Sequence, residues 1–343
     1  MNALTELLAT RDWLMLDGAT GTNLFAMGLE AGEAPELWNT DRPDSIRALH
    51  DGFIEAGSDL ILTNSFGGTR YRLKLHKAED RVAEINAAAA RLARERADAA
   101  GRRVVVAGSV GPTGEILSPV GALSHEDAVA AFREQIRALM DNGADVAWAE
   151  TISSEEEFRA VAEAADAENA PFCGTLSFDT NGRSMMGVTS SAFAGIAGNL
   201  PIQPIAFGAN CGTGAPDLLR TVLGISEADP DAIIIAKGNA GIPRFVDGEI
   251  EYDGTPELMA RYACLARDAG ARLIGGCCGT RPEHLVAMRA ALESHQPGAR
   301  PSLERIRSEI GEFTSETDGT GGTDDAPERS AGRRRRRRGA AAE

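Results

Sequence analysis

Three cysteines in two glycine-rich motifs are the residues of this chain best suited to chemistry: Cys211 in FGANCGTG, and the adjacent Cys277 and Cys278 in GGCCGTRPEH. Thiolates select soft or borderline ions, chiefly zinc, which binds sulfur at about 2.3 Å; three protein ligands leave the fourth tetrahedral position open for catalysis. Three thiolates already neutralise the ion's charge, so such a centre is a weak source of hydroxide and a good partner for a fourth, exchangeable thiolate. The substrate is therefore expected to carry a thiol, deprotonated by coordination at neutral pH and needing no separate base. Neighbouring cysteines on a regular strand point to opposite faces, so Cys277 and Cys278 reach one ion only if the strand breaks there. Gly275, Gly276 and Gly279 are expected to supply the backbone freedom. Cys173 and Cys264 lack this setting and read as small buried hydrophobes.

Bringing residue 211 to residues 277 and 278 requires a framework that converges strand ends. Eight apolar or β-branched runs recur at 14–18, 59–64, 104–109, 144–150, 171–178, 202–210, 232–239 and 272–278, each closed by a turn-former. Helical periodicity occupies 43–56, 81–100, 125–142, 154–169, 216–223, 255–269 and 282–292. The alternation predicts an α/β fold, a single (β/α)8 TIM barrel over 1–310. An open doubly wound sheet is the alternative, but the first strand runs into DGATGTNLF, which lacks the GxGxxG order.

In a parallel barrel the loops after the strands build one site at the C-terminal rim. The residues at those ends are Asp17 and Gly18, Thr63 and Asn64, Ser109 and Gly111, Glu150, Asn210 with Cys211, Asn239, and Cys277 with Cys278. Asp17 and Glu150 are read as seats for an α-ammonium group, or else as rim caps or salt-bridge partners. Backbone N–H groups in DGAT and GSVGPTG suit a carboxylate.

Composition narrows the partners. Among 343 residues, 43% are hydrophobic, which allows a substantial core, and the net charge of −16 argues against nucleic acid or an anionic membrane. No run approaches the roughly 18–20 apolar residues of a membrane span, and the start has no basic leader, so a soluble, cytoplasmic protein is expected. Five cysteines, an odd number, make a poor disulfide framework, and reduced thiols are the better reading. From about Gly311 the composition turns to Thr, Gly, Asp, Ser and Glu and ends in the run Arg333 to Arg338. The segment 311–343 is expected to be a disordered polyampholyte tail and a spectator in substrate binding.

The motifs LDGATGT, AGSDLILTNSFGGT, AGSVGPTG, GADVAWAET, FGANCG, GNAGIPR and GGCCGTRPEH resemble the homocysteine S-methyltransferase family, over roughly 14–292. That family includes betaine–homocysteine methyltransferases and the homocysteine-binding module of cobalamin-dependent methionine synthase. The resemblance implies zinc on Cys211, Cys277 and Cys278, and homocysteine near Asp17, Gly18, Ser109, Glu150 and Asn210, with Thr63 and Asn64 beside them. It implies methionine as product and a possible homo-oligomer. Betaine carries a quaternary ammonium, usually held by aromatic faces. Betaine-using relatives look as if they place tyrosines where this chain has Gly67 and Thr151, although Trp38 and Tyr71 could form a partial cage. TNSFGGT, the Glu150–Thr151 pair and DTNGRSMMGVTSSAF look closer to the methionine-synthase module. A methylcorrinoid on a separate protein is therefore the favoured donor, with betaine or a related onium as the alternative. Two other readings compete: a zinc-stabilised binding protein without catalysis, for which His284 is the only local fourth ligand, and a barrel aldolase using Lys237, which leaves the cysteines unexplained.

Overall fold

Short runs of Leu, Ile, Val and Ala flanked by turn-formers form eight strands: β1 Leu14–Met15, β2 Leu60–Leu62, β3 Val105–Val110, β4 Val146–Ile152, β5 Phe172–Leu176, β6 Ala206–Cys211, β7 Ile234–Gly238 and β8 Ala271–Gly276. All pair in parallel in the order β1-β8-β7-β6-β5-β4-β3-β2. The structure is a computed structural model that describes residues 2–241, 243–246 and 249–317. The arginine run lies outside the described residues.

Each strand is followed by a helix that returns the chain over the outside: α1 Pro43–Glu55, α2 Val82–Ala99, α3 His125–Met140, α4 Glu155–Ala167, α5 Ser190–Gly198, α6 Ala215–Ala228, α7 Pro256–Asp268 and α8 Pro282–Ser294. The result is the expected TIM barrel. Side-chain N-caps start several of these helices, among them Ser124, Ser154, Thr189 and Thr255. Helix α5 was not among the periodic segments, because SSAFAGIAG carries no polar face to reveal its period. A β-hairpin, Pro243–Val246 with Glu249–Tyr252, is inserted after β7. Among the described residues no helix is long and apolar enough to cross a membrane.

Two apolar layers hold the fold. Inside the barrel, Leu14, Leu16, Leu60, Leu62, Val105, Val146, Trp148, Cys173, Ile235 and Leu273 pack together, and Leu4, Leu7 and Leu8 of the short helix Ala3–Thr10 plug the bottom. Cys173 is thus a core residue, its thiol pushed up to about 12 by burial. The second layer lies between sheet and helices and includes Phe53, Phe132, Phe158, Phe193 and Leu219.

The barrel closes at β1 and β2 by an unusual joint. One backbone bond crosses it, Asp59 N–H to the Met15 carbonyl at 2.7 Å. Three side chains complete it: Asp59 accepts from the Met15 N–H at 2.9 Å, Asp17 from the Leu62 N–H at 2.7 Å, and the Ser58 hydroxyl donates to the Leu16 carbonyl at 3.2 Å. Below, Asp59 also meets Arg11 and Arg289 at 2.5 and 2.9 Å.

The segment beyond the helix Leu303–Ile310 departs from expectation. Residues 311–317 are docked on the body, so the ordered unit runs past residue 310. Phe313 lies 3.9 Å beneath the Arg220 guanidinium, and Thr314 donates to Asp217. One aromatic ring and a few hydrogen bonds hold this stretch, too little to be visible in a composition dominated by Thr, Ser and Glu.

Candidate metal centre and substrate cavity

Strand register assembles the site. Asn210, Lys237 and Gly275 stand on one level across β6, β7 and β8; Cys211, Gly238 and Gly276 stand on the next. Strand β8 ends at Gly276, and Cys277 and Cys278 continue past it, with the Cys277 N–H on the Gly238 carbonyl and the Ala240 N–H on the Cys278 carbonyl. The strand therefore breaks where two neighbouring thiols need it to. Only Gly279, at φ +79°, supplies conformational freedom. Gly275 and Gly276 serve close approach instead: a Cβ on either would strike Leu16 or Thr280 at 2.5 or 2.2 Å.

The Sγ atoms of Cys211, Cys277 and Cys278 lie within 4.8 Å of one another, with Cys211 and Cys278 3.8 Å apart. Among the described residues this is the cluster of possible metal ligands. Three sulfurs facing a cavity fit a soft or borderline divalent ion with a fourth position left open. His284 does not join them; it accepts from the Arg281 N–H, contacts the Gly254 carbonyl and starts α8. Hydrogen bonds from the Cys211 and Cys277 thiols, with the Tyr252 hydroxyl, hold the Cys278 thiol well below its ordinary value, so the cluster already favours a thiolate there.

Two residues at the sulfur cluster adopt the left-handed region: Thr151 at φ +62° and Cys211 at φ +60°. A β-branched residue there is a strained exception that its surroundings must enforce. Asn210 does so, accepting the Thr151 N–H at 2.8 Å and the Thr175 hydroxyl at 2.7 Å while its Nδ2 donates to Thr151 Oγ1 at 2.8 Å. The same Nδ2 lies 3.6 Å from Cys277 Sγ. Asn210 is buried and touches one sulfur of the cluster, that of Cys277.

Above the sulfurs opens a cavity of about 400 Å³, lined by Gly18, Thr63, Asn64, Ser109, Glu150 and Lys237 among others. Glu150 faces it, its Oε1 accepting the Ser109 hydroxyl at 2.5 Å. Burial pushes this carboxyl up to about 7 against the pull of Lys237 and Ser109. Ser109 is fixed in turn by its N–H on Thr63 Oγ1 at 2.9 Å. Asn64 edges the cavity but spends its amide on the Pro35 carbonyl and Asn39.

Asp17 is placed differently from Glu150. It is fully buried beneath the cavity floor, with Oδ1 2.8 Å from Lys237 Nζ and Oδ2 on Leu62. Burial alone would pull the Lys237 ammonium down, yet Asp17, Glu150 and Cys277 together hold it above its ordinary value. Its pairing with Asp17 at 2.8 Å beneath the cavity counts against the aldolase reading, which needs a free amine.

Several lining residues escaped the sequence reading: Glu33, Glu36, Phe66, Arg72 and His76. Glu36 accepts the Gly67 N–H at 2.6 Å. These residues lie in long connections after β1 and β2, where no strand end marks them. The suggested aromatic cage does not form. Trp38 is buried in the outer core under the Arg42 guanidinium, 4.5 Å from its ring, and Tyr71 borders a separate surface cavity beside α3. Phe66 is the one aromatic lining the cavity among the described residues.

Comparison with known proteins agrees with this geometry. The family model for homocysteine S-methyltransferase matches residues 14–292. The metallated form of the homocysteine methyltransferase MmuM from Escherichia coli superposes with a TM-score of 0.71 at 26% identity, covering 84% of this chain and 99% of that one. Its oxidized form gives 0.69 at 28% identity, covering 84% and 99%. A methyltransferase from Methanosarcina mazei shares the fold at a TM-score of 0.55 and 13% identity, covering 85% and 98%. With three thiols converging at the rim of the barrel and a family match across most of its length, the chain belongs to the homocysteine S-methyltransferases and is an S-methyltransferase.

Proposed function

We propose that this protein is a zinc-dependent homocysteine S-methyltransferase that forms methionine, taking the methyl group from a methylcorrinoid carried on a separate protein. The convergence of three sulfurs within 4.8 Å on the wall of an open cavity carries the reading. Zinc held by Cys211, Cys277 and Cys278 supplies deprotonation of the homocysteine thiol at neutral pH. Glu150, oriented by Ser109, presents its carboxylate to the α-ammonium group, and Asn210 keeps Cys277 aimed at the cavity. The backbone N–H groups of Thr20, Gly21 and Thr22 suit the α-carboxylate, while Lys237 and Asp17 fix the floor beneath. The homocysteine sulfur would attack the methyl carbon, the S–C bond forming as the corrinoid's Co–C bond breaks with its electron pair kept on cobalt as Co(I), and would depart as the thioether of methionine. Reduced thiols suit the cytoplasm.

The rim supports a macromolecular donor. Phe25, Met27, Ile116, Val120, Met185 and Met186 are exposed in the connections that follow β1, β3 and β5, and they offer apolar side chains to a docking protein. A wall with one aromatic side chain suits a quaternary ammonium poorly. The second reading, betaine or a related onium donor, draws on Glu33 and Glu36, whose carboxylates would attract a small cation into the cavity. Zinc-loaded protein is to be incubated with homocysteine and either methylcobalamin or betaine, and methionine measured. Methionine from methylcobalamin alone supports the proposal; methionine from betaine alone overturns the donor.

A further inference from the structure

The segment 311–317 lies outside the region matched by the family, yet it reaches the loop that follows Cys211. Beyond Cys211, that loop runs through Gly212 at φ +72° and Gly214 at φ +148° before α6 begins, so little of its own backbone pairing holds it. It is held from outside on two sides. From β7, Asn239 Nδ2 donates to the Gly212 carbonyl at 2.9 Å. From the C-terminal segment, the Thr314 hydroxyl meets Thr213 Oγ1 at 2.9 Å and Asp217 Oδ2 at 2.8 Å, and the Thr314 N–H meets the same oxygen at 2.9 Å. Thr213 in turn reaches Asp217 at 3.2 Å, which closes a three-residue network two positions from the metal ligand.

The segment is anchored on both sides of Thr314. Phe313 stacks between the guanidinium groups of Arg220 and Arg307, at 3.9 and 5.6 Å. Arg220 also donates to the Ser315 and Thr317 carbonyls at 3.0 and 2.5 Å, and the Thr317 hydroxyl donates to the Asn181 carbonyl in the connection after β5. The contact thus ties two rim loops to one strap.

We infer that residues 311–317 form a clasp that holds the Cys211 loop in its ligating conformation, with Thr314 as a positioning residue for the metal site. The inference rests on Cys211 being a metal ligand. It also revises the expectation that everything after Gly311 is a spectator. Residues that orient a ligand from behind are worth roughly 10–100-fold in metal affinity.

The test compares the full chain, a chain ending at Thr317, a chain ending at Ile310, and the near-isosteric full-length variant Thr314→Val. Zinc affinity is read by competition with a chromophoric chelator, and thermal unfolding of each metal-free protein is recorded in parallel. The chain ending at Thr317 should bind zinc as the full chain does. The chain ending at Ile310 and Thr314→Val should bind it about tenfold or more weakly, with the metal-free unfolding of Thr314→Val unchanged. Unaltered zinc affinity in Thr314→Val overturns the clasp, as does a loss matched by an equal loss of metal-free stability. A full chain that binds no zinc overturns the metal reading itself, and the clasp with it.

Discussion

Replacing Lys237 by methionine tests whether the buried ion pair under the cavity is essential to the fold as well as to the site. Lys237 and Asp17 side chains are 3% and 0% exposed and 2.8 Å apart, so methionine strands a carboxylate whose one remaining partner is the Leu62 N–H. Breaking a buried pair from one side costs about 3–5 kcal/mol, a large share of the roughly 5–15 kcal/mol that holds a typical domain. The companion Asp17→Asn removes the charge while its side-chain oxygen can still accept from Leu62. The double variant should therefore recover at least about 2 kcal/mol of the loss. Urea unfolding of the metal-free proteins at pH 7.5 measures all four corners of this cycle. The pH dependence has a definite sign. Without its ammonium, buried Asp17 titrates in the folded state above its unfolded value, so stability is retained at low pH and lost as pH rises through the folded-state value. A Lys237→Met protein within 1 kcal/mol of the parent, or a double variant no better than the single, would refute the reasoning.

Three further outcomes follow from the geometry. Cys277→Ala should lose stoichiometric zinc and turnover while keeping the parent circular dichroism, because the Cys277 side chain takes no part in the strand ladder; retained zinc and activity would contradict the ligand assignment. Glu150→Gln should weaken homocysteine binding by calorimetry about 10–100-fold, the equivalent of one charge-assisted hydrogen bond, with zinc content unchanged. His50 is fully buried in α1 without a hydrogen-bond partner at either ring nitrogen, and its folded value is lowered to about 4 by burial. A lowered histidine leaves stability intact above the unfolded value near 6.5, and stability is lost as pH falls from there toward 4, by about 3 kcal/mol. His50→Leu should abolish that part of the acid loss, and identical pH profiles for variant and parent would count against it.

How far the site was legible depended on where each residue sits along its strand. Cys211, Cys277, Cys278 and Glu150 close strands, and the alternation of apolar runs with helical segments was enough to bring those ends together. Asp17 and Asn210 close strands too, but a sequence gives no sign of whether a strand-end side chain turns into the cavity or beneath it. Both turn away, one to an ammonium and one to Thr151, Thr175 and the Cys277 sulfur. Glu36 and Phe66 sit in long connections whose path is set by tertiary packing, so no period or spacing announces them. The sequence pattern gives the first strand five residues; Leu14 and Met15 hold its ladder positions, and Leu16 and Asp17 extend the pairing through the Leu16 N–H on Ile274 and the Gly276 N–H on Asp17, before Ala19 turns to Thr280.

The cylinder has a slit between its first two staves, spanned by one amide–carbonyl contact, two carboxylates and one hydroxyl. Most barrels are sealed by main chain, which no substitution can erase; this one is buttoned by side chains, which can be undone one at a time. Exchange of the amide hydrogens of Met15 and Leu62 would then report on each button separately. Changing both aspartates should let the wall part lengthwise along a single line while the seven remaining strand pairings stay zipped, a curved open sheet reached without a general collapse.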